Sequence, residues 1–451
     1  MRRPAAAANA ALAANVANAA NTANAANAVP DLLTRLPGRA RLASLSNGLT
    51  VCLLANLQAP IVTTALYYRA GTRDEPAGHG GVAHFLEHMM FKGSARFGPG
   101  EIDRRTQALG GSNNAFTSHD ATAYHFNFAA DRWREALAIE ADRMAGLTLA
   151  PADVESERQV IVEEIAMYAS EPWDALELAV QARLFDGHPY GRPVLGTREE
   201  LLATDAATLA GFHRRFYRPD NAVLVVAGEL DDEAFAAVDE TLGRLPAPAE
   251  RAPRPQLPAA VFPAGLVRLE RHKGEMARLL LALPAPPGGH PDHPALQLLL
   301  SVLATGRASR LQRTMVDERQ LCVWISAEIS EGPADGQIAI AAEVVPGIEP
   351  ARVEADLLAE LAALVAAPPA PPEVARARQI AVADWVFGHE RVHQQALAAG
   401  FALALYDLGF LERHLQAMLA VDAPRLHEVA ARWLRPEAGG VLGWSLPRAE
   451  E

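Results

Sequence analysis

The pentapeptide HFLEH at residues 84–88 constrains this 451-residue chain more than any other stretch. On an α-helix, residues four positions apart share a face, so His84 and His88 can direct both imidazoles at one metal ion. Glu87 lies on the adjoining edge of the same helix, where its carboxylate can accept a proton from a water molecule at the metal. The spacing therefore predicts a short helix that carries two metal ligands and a base.

A third ligand is expected further along the chain, because catalytic zinc takes three protein ligands and keeps one position open. The segment VESERQVIVEEIAMYASEP offers Glu157 and Glu164, which are seven residues apart and therefore line one helical face. Glu164 follows His88 by 76 residues. H-x-x-E-H is also the inverted form of the common zinc-peptidase helix signature, which favours zinc as the metal.

Together, H-x-x-E-H and E-R-x-x-x-x-x-E at this distance resemble the pitrilysin (insulinase) family of zinc peptidases. The closest resemblance is to its bacterial branch, which is similar to the beta subunit of the mitochondrial processing peptidases. The resemblance implies one Zn²⁺ per chain, held by His84, His88 and Glu164. It also implies that Glu87 is the catalytic base and that Glu157 is a supporting carboxylate.

The order of the elements predicts an internal duplication, because the second half repeats the strand and helix pattern of the first without its metal motif. The resemblance implies an α+β fold with two homologous domains, each a mainly antiparallel sheet flanked by helices, facing each other like a clam. The proline-dense stretch before residue 265 indicates the boundary. We expect a metal-bearing domain at 34–245, a linker at 246–262 and a second domain at 263–451.

Periodicity and turn signals predict the elements around the motif. A hairpin is expected over 41–56, a third strand over 61–71, and a helix that carries both glutamates over 151–170. The apolar run at 221–230 predicts a buried strand. In the second half, one long helix is expected over 372–400.

A candidate substrate-binding strand begins after the glycines at residues 110–111. The resemblance implies that this stretch forms the sheet edge beside the metal, so Asn113, Asn114, Ala115 and Phe116 are candidates to bind substrate. Such an edge would hold a peptide backbone by adding it as a further strand. The alternative is an ordinary hairpin with a polar rim.

The composition excludes several classes of function. A net charge of −13 argues against nucleic-acid binding, which requires a basic surface. The two cysteines are far apart, so neither a disulfide framework nor a cysteine metal cluster is predicted. No stretch approaches the roughly 20 apolar residues of a membrane span.

Residues 1–33 are rich in alanine and asparagine and differ from the rest of the chain. They predict either a cleaved export leader, which would place the protein in the periplasm, or a disordered extension of a cytoplasmic protein. Mitochondrial targeting is a third interpretation, because the first 30 residues contain two arginines and no acid.

A second zinc signature competes with the first. Residues 389–393 read H-E-x-x-H, and Glu412 offers a third ligand. However, the charged Arg391 occupies a position that such helices normally keep uncharged, because it faces the protein interior. We therefore predict that His389 and His393 belong to a solvated helix face and do not bind zinc.

The second half lacks a pair of polar residues that bears on catalysis. By the resemblance, active single-chain members carry an Arg and a Tyr seven residues apart, and these hold substrate at the metal. Here Val316 and Val323 occupy those positions, and a valine side chain has no hydrogen-bond donor. We expect a homologous partner subunit that lacks the metal motif and supplies the Arg–Tyr pair. The alternatives are that nearby arginines substitute within this chain, or that it works as a slow homodimer.

These observations favour the metal-bearing subunit of a zinc endopeptidase that cleaves peptides or unfolded polypeptide segments. The alternative is a non-catalytic scaffold subunit of the same fold, as the resemblance to subunits of respiratory complexes implies.

The two zinc signatures make opposite predictions. His84→Ala should lose stoichiometric zinc and all peptidase activity, whereas His389→Ala should keep both. Zinc content by mass spectrometry of the purified variants, with a peptide-cleavage assay, tests this. The reverse pattern would contradict the assignment to residues 84–88.

Overall fold

The computed structural model describes residues 40–252 and 255–447, which form two β-sheets flanked by helices. The strands of the first sheet are β1 (Ala40–Ser44), β2 (Thr50–Ala55), β3 (Ile61–Tyr68), β4 (Ser112–Thr117), β5 (Thr122–Ala129) and β6 (Ala222–Gly228). The strands of the second sheet are β7 (Gly265–His272), β8 (Arg278–Ala285), β9 (Cys322–Ile329), β10 (Gly336–Val344) and β11 (Gly439–Leu446).

Helices precede, follow and connect these strands. In the first half they are α1 (Val82–Met89), α2 (Glu101–Ala108), α3 (Arg134–Ala145), α4 (Pro151–Ser170), α5 (Pro172–Leu184), α6 (Arg198–Ala203), α7 (Ala206–Phe216) and α8 (Ala234–Thr241). In the second half they are α9 (His293–Ala304), α10 (Pro350–Ala366), α11 (Pro371–Gly388), α12 (Val392–Leu405), α13 (Phe410–Ala420) and α14 (Ala423–Trp433).

The two sheets share a five-strand topology, to which the first sheet adds β1 at one edge, and this confirms the predicted duplication and fold class. The first has the order β1-β2-β6-β3-β5-β4, and the second has the order β7-β11-β8-β10-β9. Strand β2 pairs in parallel with β6, and β7 pairs in parallel with β11. All other strand pairs are antiparallel. Helix α9 follows β8 as α1 follows β3, so it occupies the place of the metal helix in the second half.

Both faces of the central strand β6 are covered, which explains its uninterrupted apolar sequence. Leu224 and Val226 face the core that contains α1, whereas Val223 and Val225 face α12. Helix α12 comes from the second half of the chain. A strand that is buried on both faces needs apolar residues at every position, not at alternate ones. The prediction of a buried strand at 221–230 is therefore confirmed.

The exchange of helices is reciprocal. Helix α5, from the first half, places Leu176 and Val180 against Leu280 and Val441 of the second sheet. Each half therefore donates one helix to the open sheet face of the other. Because each exchanged helix buries an apolar face that would otherwise be exposed, the hydrophobic effect holds the halves together.

A glycine allows helix α12 to approach the first sheet closely. A Cβ atom on Gly400 of α12 would lie 2.2 Å from Cε2 of Tyr67 on β3. The Tyr67 hydroxyl donates a hydrogen bond of 2.9 Å to the carbonyl of Leu397, one turn earlier on the helix. At the other end, the Arg69 guanidinium donates to the carbonyls of Leu403 and Ala404. A cation at a helix C-terminus satisfies carbonyls that lack intrahelical partners.

The prediction of a single helix over 372–400 is wrong. The chain forms α11 and α12 with a break at 389–391, where Arg391 is extended with φ −95° and ψ 141°. The break has a tertiary cause, since α11 packs within its own half, whereas α12 crosses to the first sheet.

The remaining predictions concern the first hairpin, the linker, residues 1–33 and membrane spans. The hairpin over 41–56 is confirmed by the antiparallel pairing of β1 and β2. The described residues of the expected linker form neither helix nor strand, and the domain boundaries stay predictions. Residues 1–33 lie outside the described residues. Among the described helices, none has the length and apolar character that crossing a membrane requires.

Replacing Gly400 tests the helix exchange. Gly400→Ala should lower the free energy of unfolding by about 1–3 kcal/mol, because the added methyl group overpacks against Tyr67. Gly211→Ala is the matched control, since Gly211 also lies within a helix but its Cβ would meet no atom within 4 Å. It should be neutral or stabilise by up to about 1 kcal/mol. Denaturant unfolding measures both, and equal stability of the two variants would contradict the close contact.

Candidate metal centre

Helix α1 is anchored by its apolar residues and capped by a carboxylate. Phe85, Leu86 and Met89 are buried in the core of the first half. The Glu75 carboxylate accepts hydrogen bonds of 3.0 Å from the backbone N–H groups of Gly81 and Ala83, which satisfies donors at the helix N-terminus. Burial raises the pKa of Glu75 to about 8, although the two N–H donors favour its charged form. Sequence reasoning missed Glu75, because it precedes the helix by seven residues.

Two glycine segments pack backbone against backbone at the start of this helix. Gly81 has φ +86°, and a Cβ there would lie 2.2 Å from the carbonyl oxygen of Leu195. A Cβ on Gly196 would lie 2.1 Å from the carbonyl oxygen of Gly80. Glycine is therefore required on both sides of this contact, which holds the N-terminus of α1 in place.

His84, His88 and Glu164 converge on one point between α1 and α4. Their ligand atoms all lie within 4.8 Å of one another, and within the described ranges they are the one such group of three. Glu164 Oε2 is 3.9 Å from His84 Nε2 and 3.6 Å from His88 Nε2. Burial, followed by the proximity of His88, lowers the pKa of His84 to about 3. The neutral imidazole is the form that binds a metal.

These residues fit a zinc ion. Zinc–nitrogen and zinc–oxygen bonds of about 2.0–2.1 Å in a tetrahedron place neighbouring ligand atoms roughly 3.3–3.4 Å apart. The observed separations of 3.6 and 3.9 Å are close to this spacing. Two imidazoles with one carboxylate are also a known ligand set of catalytic zinc.

Glu157 supports His88 from the side opposite the metal position. Its Oε1 lies 2.8 Å from His88 Nδ1, so the Nδ1–H donates to the carboxylate and Nε2 stays free to bind a metal. Lys92 Nζ lies 2.5 Å from the other oxygen. Burial alone would raise the pKa of Glu157, but hydrogen bonds from His88 and Lys92 hold it below its ordinary value. Lys92, four residues after His88, was not predicted.

Glu87 is held by a threonine of the neighbouring sheet. The Thr117 hydroxyl donates a hydrogen bond of 2.6 Å to Glu87 Oε2. Burial raises the pKa of Glu87, which makes its carboxylate a better proton acceptor. Thr117 lies 30 residues from Glu87, so no local pattern could have linked the two. It does, however, directly follow the four predicted substrate-strand residues.

Strand β4 lies at one edge of the first sheet, beside a pocket of about 270 Å³. The pocket is lined by Glu87, His88, Phe91, Lys92, Gly100, Asp103, Asn114, Ala115 and Glu157. Asn113 instead donates hydrogen bonds to side chains of α2, and Phe116 packs edge-on against Tyr67. Two of the four candidate substrate residues therefore line the pocket, and the role of all four stays a prediction.

The competing signature at residues 389–393 does not form a ligand pair. His389 lies in the break that follows α11 and His393 lies in α12, so the two histidines do not share one helix. His389 Nδ1 is 2.8 Å from the Trp385 carbonyl oxygen, and His393 Nδ1 is 3.1 Å from Asn127 Oδ1. The prediction that these residues lie on a solvated helix face is wrong for His393, which packs against His125 of the first sheet with ring centroids 4.6 Å apart.

The two valines in place of the Arg–Tyr pair occupy irregular backbone. Val316 lies in the π-helical turn Gln312–Glu318 and is partly buried against the second core. Val323 is the extra residue of a β-bulge in β9, since Val344 pairs with Cys322 and Glu343 with Trp324. Its side chain is 49% exposed. π-Turns and bulges occur frequently at functional sites, where they redirect a side chain.

The nearby arginines are engaged within the second half. Their partners are Glu373 for Arg310, Glu318 for Arg313, and Asp356 for Arg319. Arg310 makes two hydrogen bonds, of 2.7 and 2.8 Å, to the Glu373 carboxylate. A guanidinium in such a bidentate pair is not free to bind a substrate carbonyl.

Two family profiles match consecutive parts of the chain. Residues 50–198 match the profile described as insulinase, peptidase family M16, and residues 204–381 match the profile described as the peptidase M16 inactive domain. The first range contains the three metal-site residues together with Glu87 and Glu157. The second contains both valines.

Curated relatives include proteins named uncharacterized zinc proteases. One from Mycobacterium leprae is 33% identical over 63% of this chain and 64% of its own length. One from Mycobacterium bovis is 32% identical over 66% of this chain and 69% of its own length. The matched region thus spans about two thirds of these relatives.

Solved structures share the fold. A protease from Helicobacter pylori has a TM-score of 0.85 at 23% identity, covering 90% of this chain and 99% of that chain. The periplasmic protease PqqL from Escherichia coli has a TM-score of 0.74 at 19% identity, covering 90% of this chain but 47% of that longer chain.

Two isosteric substitutions separate ligand from base. Glu164→Gln should weaken zinc binding, because a neutral amide replaces an anionic oxygen ligand. Glu87→Gln should keep zinc, while hydrolytic turnover falls about 10²–10⁴-fold, the usual cost of a lost general base. Zinc titration monitored by calorimetry and a hydrolysis assay measure the two effects. Loss of zinc from Glu87→Gln with retention in Glu164→Gln would reverse the assigned roles.

Proposed function

This chain belongs to the insulinase family of peptidases, peptidase family M16, and we propose that it is a zinc endopeptidase acting on peptides or unfolded segments. The observation that carries the proposal is the convergence of His84, His88 and Glu164 beside Glu87. A carboxylate base next to two imidazoles and a carboxylate is the set of groups that hydrolysis at a metal requires.

His84, His88 and Glu164 would hold the zinc ion, which supplies a Lewis acid that polarises water and the scissile carbonyl. Glu87 accepts the proton that the attacking water loses, and then donates it to the leaving amine nitrogen. Thr117 binds Oε2 of Glu87, so Oε1 is the oxygen left to carry that proton. Glu157 orients His88 through its Nδ1–H.

The peptide backbone would bind along β4. An edge strand presents unpaired N–H and C=O groups, and an extended peptide can add to them as a further strand. Asn114 and Ala115 lie both on this strand and in the wall of the pocket that contains Glu87 and His88. The scissile bond would thereby be placed next to the base.

We further propose that full activity requires a homologous partner subunit that lacks the metal motif and contributes an Arg–Tyr pair. Val316 and Val323 provide no hydrogen-bond donor, and the neighbouring arginines are ion-paired elsewhere. Transition-state donors of this kind typically contribute about 10²–10³ each in rate.

The likeness to PqqL bears on assembly and on compartment. This chain matches about half of the longer PqqL chain, which is consistent with an enzyme built from a pair of such units. PqqL is a periplasmic protease, and this supports a periplasmic location for the present chain.

A scaffold role is the second candidate, because residues 204–381 match a profile described as an inactive domain. That match covers the half without the metal motif. All five imidazole and carboxylate positions of the motif are present in the other half, which favours catalysis.

Purified chain, free of any homologue, tests the proposal. It should bind one zinc ion and cleave a quenched-fluorescence unstructured peptide slowly. The double variant Val316→Arg with Val323→Tyr should raise the rate by about 10²-fold within one chain, because it restores donors at both positions. Adding Glu87→Gln to this variant is the control and should abolish cleavage.

Three outcomes would decide parts of the proposal. Absence of zinc binding would contradict the enzyme and favour the scaffold. Rapid cleavage by the unmodified chain alone would contradict the need for a partner. Activity that appears only on mixing with a homologous subunit, and disappears when its Arg or Tyr is replaced, would support the two-subunit enzyme.

A further inference from the structure

The two halves of the chain differ at helix α8, which has no counterpart among the described residues of the second half. Helix α8 follows β6, and β11 has the place in the second sheet that β6 has in the first. No helix follows β11 in the part of the chain that the structure describes, which extends to residue 447. Within that part, the duplicated pattern therefore stops one helix earlier in the second half.

In the first half, α8 packs against helix α3 and completes the core. Ala234 and Val238 of α8, with Leu242 directly after it, are fully buried and spaced four residues apart, so they share one face. The Asn47 side chain, in the turn between β1 and β2, donates hydrogen bonds of 2.8 and 3.1 Å to the carbonyls of Leu242 and Leu245. A helix with apolar residues four apart thus covers α3 and the start of β2.

Helix α10 takes the place of α3 in the second half, because it follows β10 as α3 follows β5. One apolar stripe of α10 is buried in the second core, and its residues are Val353, Leu357, Leu361 and Leu364. A second apolar stripe lies beside it and is half-buried or exposed, and its residues are Leu358, Ala362, Val365 and Ala366. The spacing i, i+4, i+7, i+8 is typical of a helical face that packs against another element.

A groove of about 620 Å³ lies over this second stripe. Leu266 of β7 and Leu434, which precedes β11, add apolar surface to its wall. Strand β7 pairs with β11 as β2 pairs with β6, so β7 has the place of β2. The groove is therefore bordered by the counterparts of the elements that α8 covers in the first half.

The wall of the groove also contains a partly accessible cation. Arg268 lies 2.6 Å from Glu354, but its side chain remains 57% exposed. In the first half, the Arg134 guanidinium of α3 donates hydrogen bonds of 2.7 and 2.8 Å to both carboxylate oxygens of Asp231, which precedes α8. An acidic residue near the end of a bound helix would find a comparable guanidinium in Arg268.

We propose that the groove between α10 and β7 binds an amphipathic helix of a partner protein, with apolar residues four apart and an acidic residue near one end. Helices that dock into grooves are recognised through anchors at this spacing. The inference is independent of the proposed peptidase function. Strand β7 is at the edge of the second sheet opposite β9, which carries Val323, so the groove is separate from the surface proposed to need an Arg–Tyr pair.

A fluorescein-labelled peptide with the sequence of residues 229–245, which includes α8, is the probe for the groove. The full-length protein should bind it saturably in a fluorescence-polarisation titration. A control peptide with Val238→Glu and Leu242→Glu should bind at least about tenfold more weakly, because it loses the burial of two apolar side chains. Equal affinity for the two peptides, or no saturable binding of the first, would overturn the proposal.

Substitutions in the protein locate the binding. Ala362→Glu should weaken binding of the probe by at least about tenfold, because it places a charge in the apolar groove. Ala363→Glu is the matched control, since Ala363 is the next residue of α10, is also exposed and does not line the groove. It should bind as the wild type does. Both variants should keep the melting temperature and zinc content of the wild type, and equal affinity of the two variants would overturn the assignment to the groove.

Sedimentation velocity tests a second copy of this chain as the occupant. The proposal predicts that Ala362→Glu leaves the association state of the chain unchanged. Concentration-dependent association of the wild type that Ala362→Glu abolishes and Ala363→Glu does not would overturn the proposal, because it assigns the groove to contact between copies.

Discussion

The mutual burial of sheet faces by exchanged helices is the constraint on which the rest of the structure depends. Helix α12 covers the first sheet and α5 covers the second. Neither sheet could be stable in water with that face exposed, because the central strands β6 and β11 are apolar on both faces. Each of the two helix–sheet contacts needs one glycine: Gly400 lies against Tyr67, and Gly443 lies against Val180.

The metal centre inherits its geometry from this exchange. Helix α4, which carries Glu157 and Glu164, continues almost directly into α5, and α5 is held by the sheet of the other half. Helix α1 is fixed independently by its core contacts and by the Glu75 carboxylate. Helix α4 also packs into the first core through Val154 and Ile161, so both that core and the contact between the halves position Glu164. A change at that interface should be felt at the site, even where no ligand is altered.

Each reactive group is held by a partner from a different element. Glu157 and Lys92 orient His88, while Thr117 of β4 holds Glu87. Since Thr117 lies on the strand proposed to bind the peptide, one strand would contact both the Glu87 carboxylate and the bound backbone. Preorganisation of this kind reduces the motion needed to reach the transition state.

The sequence by itself determined the ligand-bearing helix and the second glutamate helix, because these follow from spacing and periodicity within short segments. The two similar sheets were expected from the order of the elements together with the family resemblance. The sequence also predicted that the H-E-x-x-H motif at residues 389–393 does not bind zinc. Only the tertiary structure decided the helical break at 389–391, the exchange of α5 and α12, and the contacts of Glu75 and Thr117. These depend on contacts between elements that can be distant in sequence, and local periodicity carries no information about which face of a helix meets which sheet.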